Sequence, residues 1–117
     1  MKSKKYQLLH NPRCSKSRKC LEFLKSNEVD FEIVLYLKKK LTINEIKNIL
    51  EKSGLKAINL IRQNEKIWKE ILCKKSLNEN QIIQAICDNP EILKRPIFVS
   101  KTKSIIAIPP QESLKIL

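Results

Sequence analysis

Between Tyr6 and Arg18 the hydrophobic period of the chain changes once, and that change constrains everything downstream. Tyr6, Leu8 and Leu9 read as a short buried strand. A few residues later the pattern is helical: Ser17, Cys20, Leu21 and Leu24 recur at helical spacing, with Lys16, Lys19 and Lys25 on the opposite face. Pro12 cannot donate to a ladder, so it marks the end of the strand. Ser15 is the expected N-cap, which places Cys14 just ahead of the first free backbone N–H groups of the helix.

That placement has a chemical consequence. A thiol is nucleophilic as a thiolate, and a helix N-terminus with nearby cations lowers its pKa from about 8.5 to roughly 3.5–7.5. Arg13, Lys16 and Arg18 supply positive charge, and the Ser17 hydroxyl is placed to donate to the sulfur from one helical turn on. The same free N–H groups suit an oxyanion. The competing reading is a small buried cysteine; the polarity of the loop argues against it.

The length of 117 residues corresponds to one compact domain with a single core, taken here as 1–117. No secretory apolar region follows Met1-Lys2-Ser3-Lys4-Lys5 and there is no long apolar run, so the expectation is a soluble cytoplasmic protein with no membrane role. Cys14, Cys20, Cys73 and Cys87 form no C-x-x-C pair and have no clustered histidine, which argues against a metal site or a secreted disulfide framework. The net charge of +12 would suit a nucleic-acid binder. However, 20 of the 24 basic residues are Lys scattered along the chain, and aromatic content is 5%, which argues against nucleic acid as a partner. In so Lys-rich a chain the four arginines stand out, because a guanidinium grips an oxyanion with a planar fork where Lys offers a point charge.

Ser26-Asn27 reads as a helix stop, with Asn27 in the left-handed position. Phe31, Ile33 and Leu35 then alternate as a second strand. Thr42-Ile43-Asn44-Glu45 is a capping box for a helix that buries Ile46, Ile49 and Leu50 and ends at Gly54. A short helix is expected over Ile58 to Arg62, then an apolar cluster of Ile67, Trp68, Ile71 and Leu72. A second capping pattern, Asn78 through Gln81, opens a helix carrying Ile82, Ile83 and Ile86. Ile97-Phe98-Val99 and Ile105 to Ile108 read as a hairpin across the turn Ser100 to Lys103, and Pro110 opens a final short helix. The order is β-α-β, a helical insert over about residues 42–92, then β-β-α.

The segment His10-Asn11-Pro12-Arg13-Cys14-Ser15-Lys16-Ser17-Arg18 resembles the signature of the glutaredoxin-coupled arsenate reductases. Leu93 through Val99 and Leu60 through Glu65 resemble two further blocks of that family. The resemblance implies an α/β thioredoxin-like fold, a four-stranded mixed sheet flanked by helices. It implies that Cys14 attacks arsenate to form a thiol–arsenate adduct, with His10 assisting. Arg62 and Arg95 would hold the oxyanion, and Pro96 would be the structural cis-proline before the third strand. Glutathione would serve as co-substrate, glutaredoxin as partner, and no cofactor would be bound. Ser17 occupies the resolving position of a C-x-x-C, consistent with a single active thiol, and Cys20 belongs to the core.

One departure stands out. Ile108 occupies the position of a third family arginine, and losing one charge-assisted contact to an oxyanion costs about 1.5–3 kcal/mol. Two other readings of the same fold therefore remain: a regulator that binds RNA polymerase, and a general glutathione-linked thiol oxidoreductase.

Overall fold

The computed structural model describes residues 6–70 and 72–117. The expectations placed on Met1–Lys5 and on Ile71 lie outside those residues. The chain divides into two compact units, one formed by the residues through Tyr36 together with Arg95–Leu117, the other by Leu37–Lys94.

The first unit holds the sheet. Strands β1 (Tyr6–Leu9), β2 (Phe31–Val34), β3 (Ile97–Val99) and β4 (Ser104–Ile106) are ordered β2-β1-β3-β4. β1 runs parallel to β2, while β1–β3 and β3–β4 are antiparallel, which makes the sheet mixed. Helix α1 (Ser15–Ser26) connects β1 to β2 and lays Ser17, Cys20 and Leu24 inward. Leu8, Cys20, Leu24, Phe98 and Ala107 form a buried cluster, with Tyr6, Leu21, Phe23, Val29, Phe31, Ile105 and Ile116 packed around it. Leu8 lies opposite Phe98 across the β1–β3 pair, and the Phe98 ring stacks on Tyr6 with centroids 5.3 Å apart. β1 and β3 are thus the interior strands, and β1 delivers the Cys14 loop from the centre of the sheet.

Several local expectations for this unit are corrected. The left-handed residue after α1 is Glu28 (φ 57), not Asn27, whose φ is −93. The Asn27 amide instead donates to the Phe23 carbonyl at 2.8 Å, covering a helix-end acceptor and displacing the chain reversal by one residue. In β2 the alternation fails: Ile33 is 42% exposed, because β2 is an edge strand. The last strand also stops at Ile106 rather than Ile108, where Ile108 precedes a cis bond to Pro109. The closing helix is a 3₁₀ segment, Pro110–Ile116.

The second unit is helical. α2 (Ile43–Ser53) starts at a complete capping box, with Thr42 Oγ1 accepting the Glu45 N–H and Glu45 Oε1 accepting the Thr42 N–H. It ends at Gly54, whose φ of 73 is left-handed. α3 (Lys66–Glu70) buries Trp68. α4 (Glu79–Asp88) opens on the Asn78–Gln81 capping box. The helix expected over Ile58 to Arg62 is a 3₁₀ turn, Ala57–Leu60, because Ile61 leaves it to bridge Leu93 in an antiparallel pair. That pair is extended by the Arg62 N–H to the Ile92 carbonyl and the Lys94 N–H to the Leu60 carbonyl.

Candidate active site

The site grows out of the strand-to-helix joint. The His10 N–H donates to the Val34 carbonyl at 3.0 Å and prolongs the β1–β2 pairing by one residue. The Asn11 carbonyl then accepts the Cys14 N–H at 3.0 Å, closing a turn over Pro12 and Arg13. α1 begins at Ser15, so the cap residue is Cys14 itself rather than Ser15. The correction matters chemically, because a cap side chain faces the free N–H groups of the first turn.

Cys14 is partly exposed. Burial pushes its thiol pKa up, but the backbone N–H of Ser17, a hydrogen bond from the Arg95 side chain, the Lys16 N–H and the Arg95 charge together outweigh it, and the net shift is downward. The cap side chain closes no full-strength capping bond with the helix, so the N–H groups act on the sulfur as oriented dipoles. Arg95 reaches the sulfur from two residues before β3, and the Arg95–Pro96 peptide bond is cis.

Ser17 enters the site differently from the expectation. It acts on Cys14 through its backbone N–H. Its fully buried hydroxyl accepts the Asn11 N–H at 3.2 Å and so serves the loop instead of the sulfur. His10 is buried, at 4% exposure, and its Nδ1 has no hydrogen-bond partner. Burial, then the Arg18 charge, lowers its pKa from the ordinary 6.5, which keeps the ring neutral. The groups that move the Cys14 pKa are Ser17, Lys16 and Arg95, and His10 is not one of them.

Arg62 belongs to the helical unit, where its guanidinium is ion-paired with Glu65. Cys20 is fully buried beside the Ser113 hydroxyl at 3.8 Å, and burial raises its pKa. Cys87 is likewise raised, by burial first and then by Asp88 and Glu45. Where burial pushes Cys20 and Cys87 up, the donors around Cys14 move it down. Among the described residues no cluster of three or more His, Cys, Asp or Glu side chains is arranged to hold a metal ion, and no helix is long and apolar enough to cross a membrane. The residue missed from sequence is Asn11, which organises the turn. The Asn-Pro pair, a turn initiator, was the available signal.

The sequence profile of the ArsC family matches residues 9–116, nearly the whole chain. The chain belongs to the ArsC family. Its curated ArsC relatives include an arsenate reductase of Neisseria meningitidis, 35% identical over 105 residues that span 88% of this chain and 90% of that protein. An Escherichia coli K12 protein, YfgD, described as uncharacterised, is 42% identical over 117 residues and 98% of each chain. The solved structure of an arsenate reductase from Vibrio cholerae superposes with a TM-score of 0.91 at 27% identity, covering 99% of this chain and 100% of that one. The family's thioredoxin-like α/β fold is therefore the fold of this chain, built on the four-stranded mixed sheet.

Proposed function

We propose that this ArsC-family chain reduces arsenate, with Cys14 as its single nucleophile. The observation that carries the reading is the lowered Cys14 pKa at a helix cap, beside the Arg95 guanidinium. A thiolate approaching an anion meets repulsion, and donors placed in advance offset it and stabilise the charge as it moves. Cys14 Sγ bonds to arsenic(V) and one arsenate oxygen leaves as water after taking up protons. A glutathione thiol then reacts with the adduct. Two sulfurs become a disulfide, their electron pair reduces arsenic(V) to arsenic(III), and arsenite departs. Glutaredoxin returns the Cys14 thiol. Arg95 holds the oxyanion with its planar fork. His10, buried and neutral, remains a candidate assistant for proton movement at the loop rather than a group that lowers the thiol pKa. The reaction takes place in the cytoplasm, where glutathione is abundant.

The test is arsenite formed from arsenate with glutathione and glutaredoxin. Cys14→Ser abolishes it, while Cys73→Ser and Cys87→Ser retain it; turnover by Cys14→Ser refutes the assignment. One observation favours a second reading. Ile108, 39% exposed, puts an apolar side chain where the family commonly has an arginine. Deglutathionylation of a mixed disulfide, with no arsenite formed, would mark a general thiol oxidoreductase.

A further inference from the structure

The turn that presents Cys14 is tied down by a residue with no part in the chemistry itself. Asn11 is 7% exposed. Its backbone N–H donates to Ser17 Oγ at 3.2 Å, its carbonyl accepts the Cys14 N–H at 3.0 Å, and its side-chain Oδ1 accepts the Arg13 N–H at 3.0 Å. The three bonds reach the residue before the cap, the cap, and the residue one turn beyond. A chain passing from strand to helix leaves the N–H groups at the joint without ladder or helix acceptors. Asn11 accepts two of them, those of Arg13 and Cys14. Asn in the first position of a turn, with Pro in the second, is the pairing that such a reversal favours. On the outer side, Arg18 Nη1 donates to the Pro12 carbonyl at 2.9 Å and the Arg18 N–H to the Cys14 carbonyl at 3.0 Å.

We propose that Asn11 is the positioning residue of the Cys14 thiolate: its carboxamide oxygen, by holding the Arg13 N–H, sets the turn that brings the sulfur beneath the Ser17 and Lys16 N–H groups. The proposal rests on the reading of Cys14 as the nucleophile. Of the three Asn11 bonds, only the one to Arg13 uses the side chain, so a substitution can remove it alone. Asn11→Ala leaves the Arg13 N–H without its acceptor and loosens residues 12–14, while the sheet and the body of α1 keep their packing. Asn11→Ser returns a short oxygen acceptor capable of the same turn.

The experiment follows alkylation of Cys14 by iodoacetamide across pH, read on the Cys14 peptide by mass spectrometry, in the wild-type chain and both variants. Thermal unfolding is recorded beside it. For Asn11→Ala we expect the thiolate midpoint to rise and alkylation at neutral pH to slow about five-fold, as loss of one hydrogen bond's alignment implies, with a cooperative unfolding transition retained. Asn11→Ser recovers most of the wild-type profile. An Asn11→Ala profile that overlays the wild type overturns the proposal. If Asn11→Ala does not fold, Asn11→Ser decides: a wild-type profile supports the acceptor role and a displaced one overturns it. An ordinary thiol profile in the wild-type chain refutes the nucleophile itself, whereas a depressed wild-type midpoint unmoved by Asn11→Ala refutes only the positioning role.

Discussion

Replacing Arg95 by Met removes the guanidinium that acts on the Cys14 sulfur and keeps an unbranched chain in its place. Two effects vanish together, a side-chain hydrogen bond and a Coulombic attraction. A hydrogen bond to a charged partner is worth about 1.5–3 kcal/mol where water is excluded. Cys14 is only partly buried, so screening reduces this, and about 1–1.5 kcal/mol is the reasonable remainder. That corresponds to about a ten-fold change in the thiolate–thiol equilibrium. The opposing effect of burial survives the substitution, as do the Ser17 and Lys16 N–H groups, so the thiol moves back towards its ordinary range. The assay is the pH dependence of the initial arsenate-reduction rate, together with Cys14 alkylation as a substrate-free readout. The alkylation midpoint rises, and reactivity below the wild-type midpoint falls by about ten-fold. Arg95→Lys keeps a point charge without the planar fork and falls between Met and the wild type. An Arg95→Met chain, folded by circular dichroism, whose alkylation profile matches the wild type would refute the reasoning. It would mean that the helix N–H groups alone set the thiolate.

Two further outcomes follow from the same structure. Phe98→Ala empties a fully buried position on an interior strand and ends the stack with Tyr6, so urea unfolding should show a loss of about 3–5 kcal/mol; a loss below about 1 kcal/mol would show that the cluster collapses into the space. His10 resists protonation in the folded chain, whereas the unfolded chain takes up a proton near the ordinary 6.5. The unfolded state therefore binds more protons as the pH falls through that value and on towards the lowered folded one, and stability declines on acidification. His10 is the sole histidine. Urea midpoints between about pH 7.5 and about pH 5.5 should thus drift downward in the wild type and stay flatter in His10→Gln, and equal slopes would contradict the buried neutral ring.

Much of the local structure was legible from the chain alone because it depends on neighbours in sequence. The capping boxes at Thr42–Glu45 and Asn78–Gln81 each close over four consecutive residues, and the left-handed Gly54 needs only its missing Cβ. Where reading by pattern failed, a distant partner or a local competitor had intervened. Ile33 lies exposed because its strand is at the sheet edge, which periodicity does not specify. Ile61 left its helix because Leu93 offered a bridge. Asn27 gave up the left-handed position to Glu28 once its amide found the Phe23 carbonyl.

The sequence by itself determined that a cysteine stands where a strand gives way to a helix, since the change of period and Pro12 are properties of adjacent residues. It also determined that Cys20 faces inward, since that follows from helical spacing. Only the tertiary structure decided what surrounds the sulfur. Pairing β3 beside β1 brings Arg95 from the far end of the chain to Cys14. The turn held by Asn11 makes Cys14 the cap and directs the Ser17 hydroxyl into the loop. The physical reason is range: helix periods and caps are set by contacts a few residues apart, whereas a thiol's proton affinity is set by every charge and dipole that folding places within a few ångströms of it.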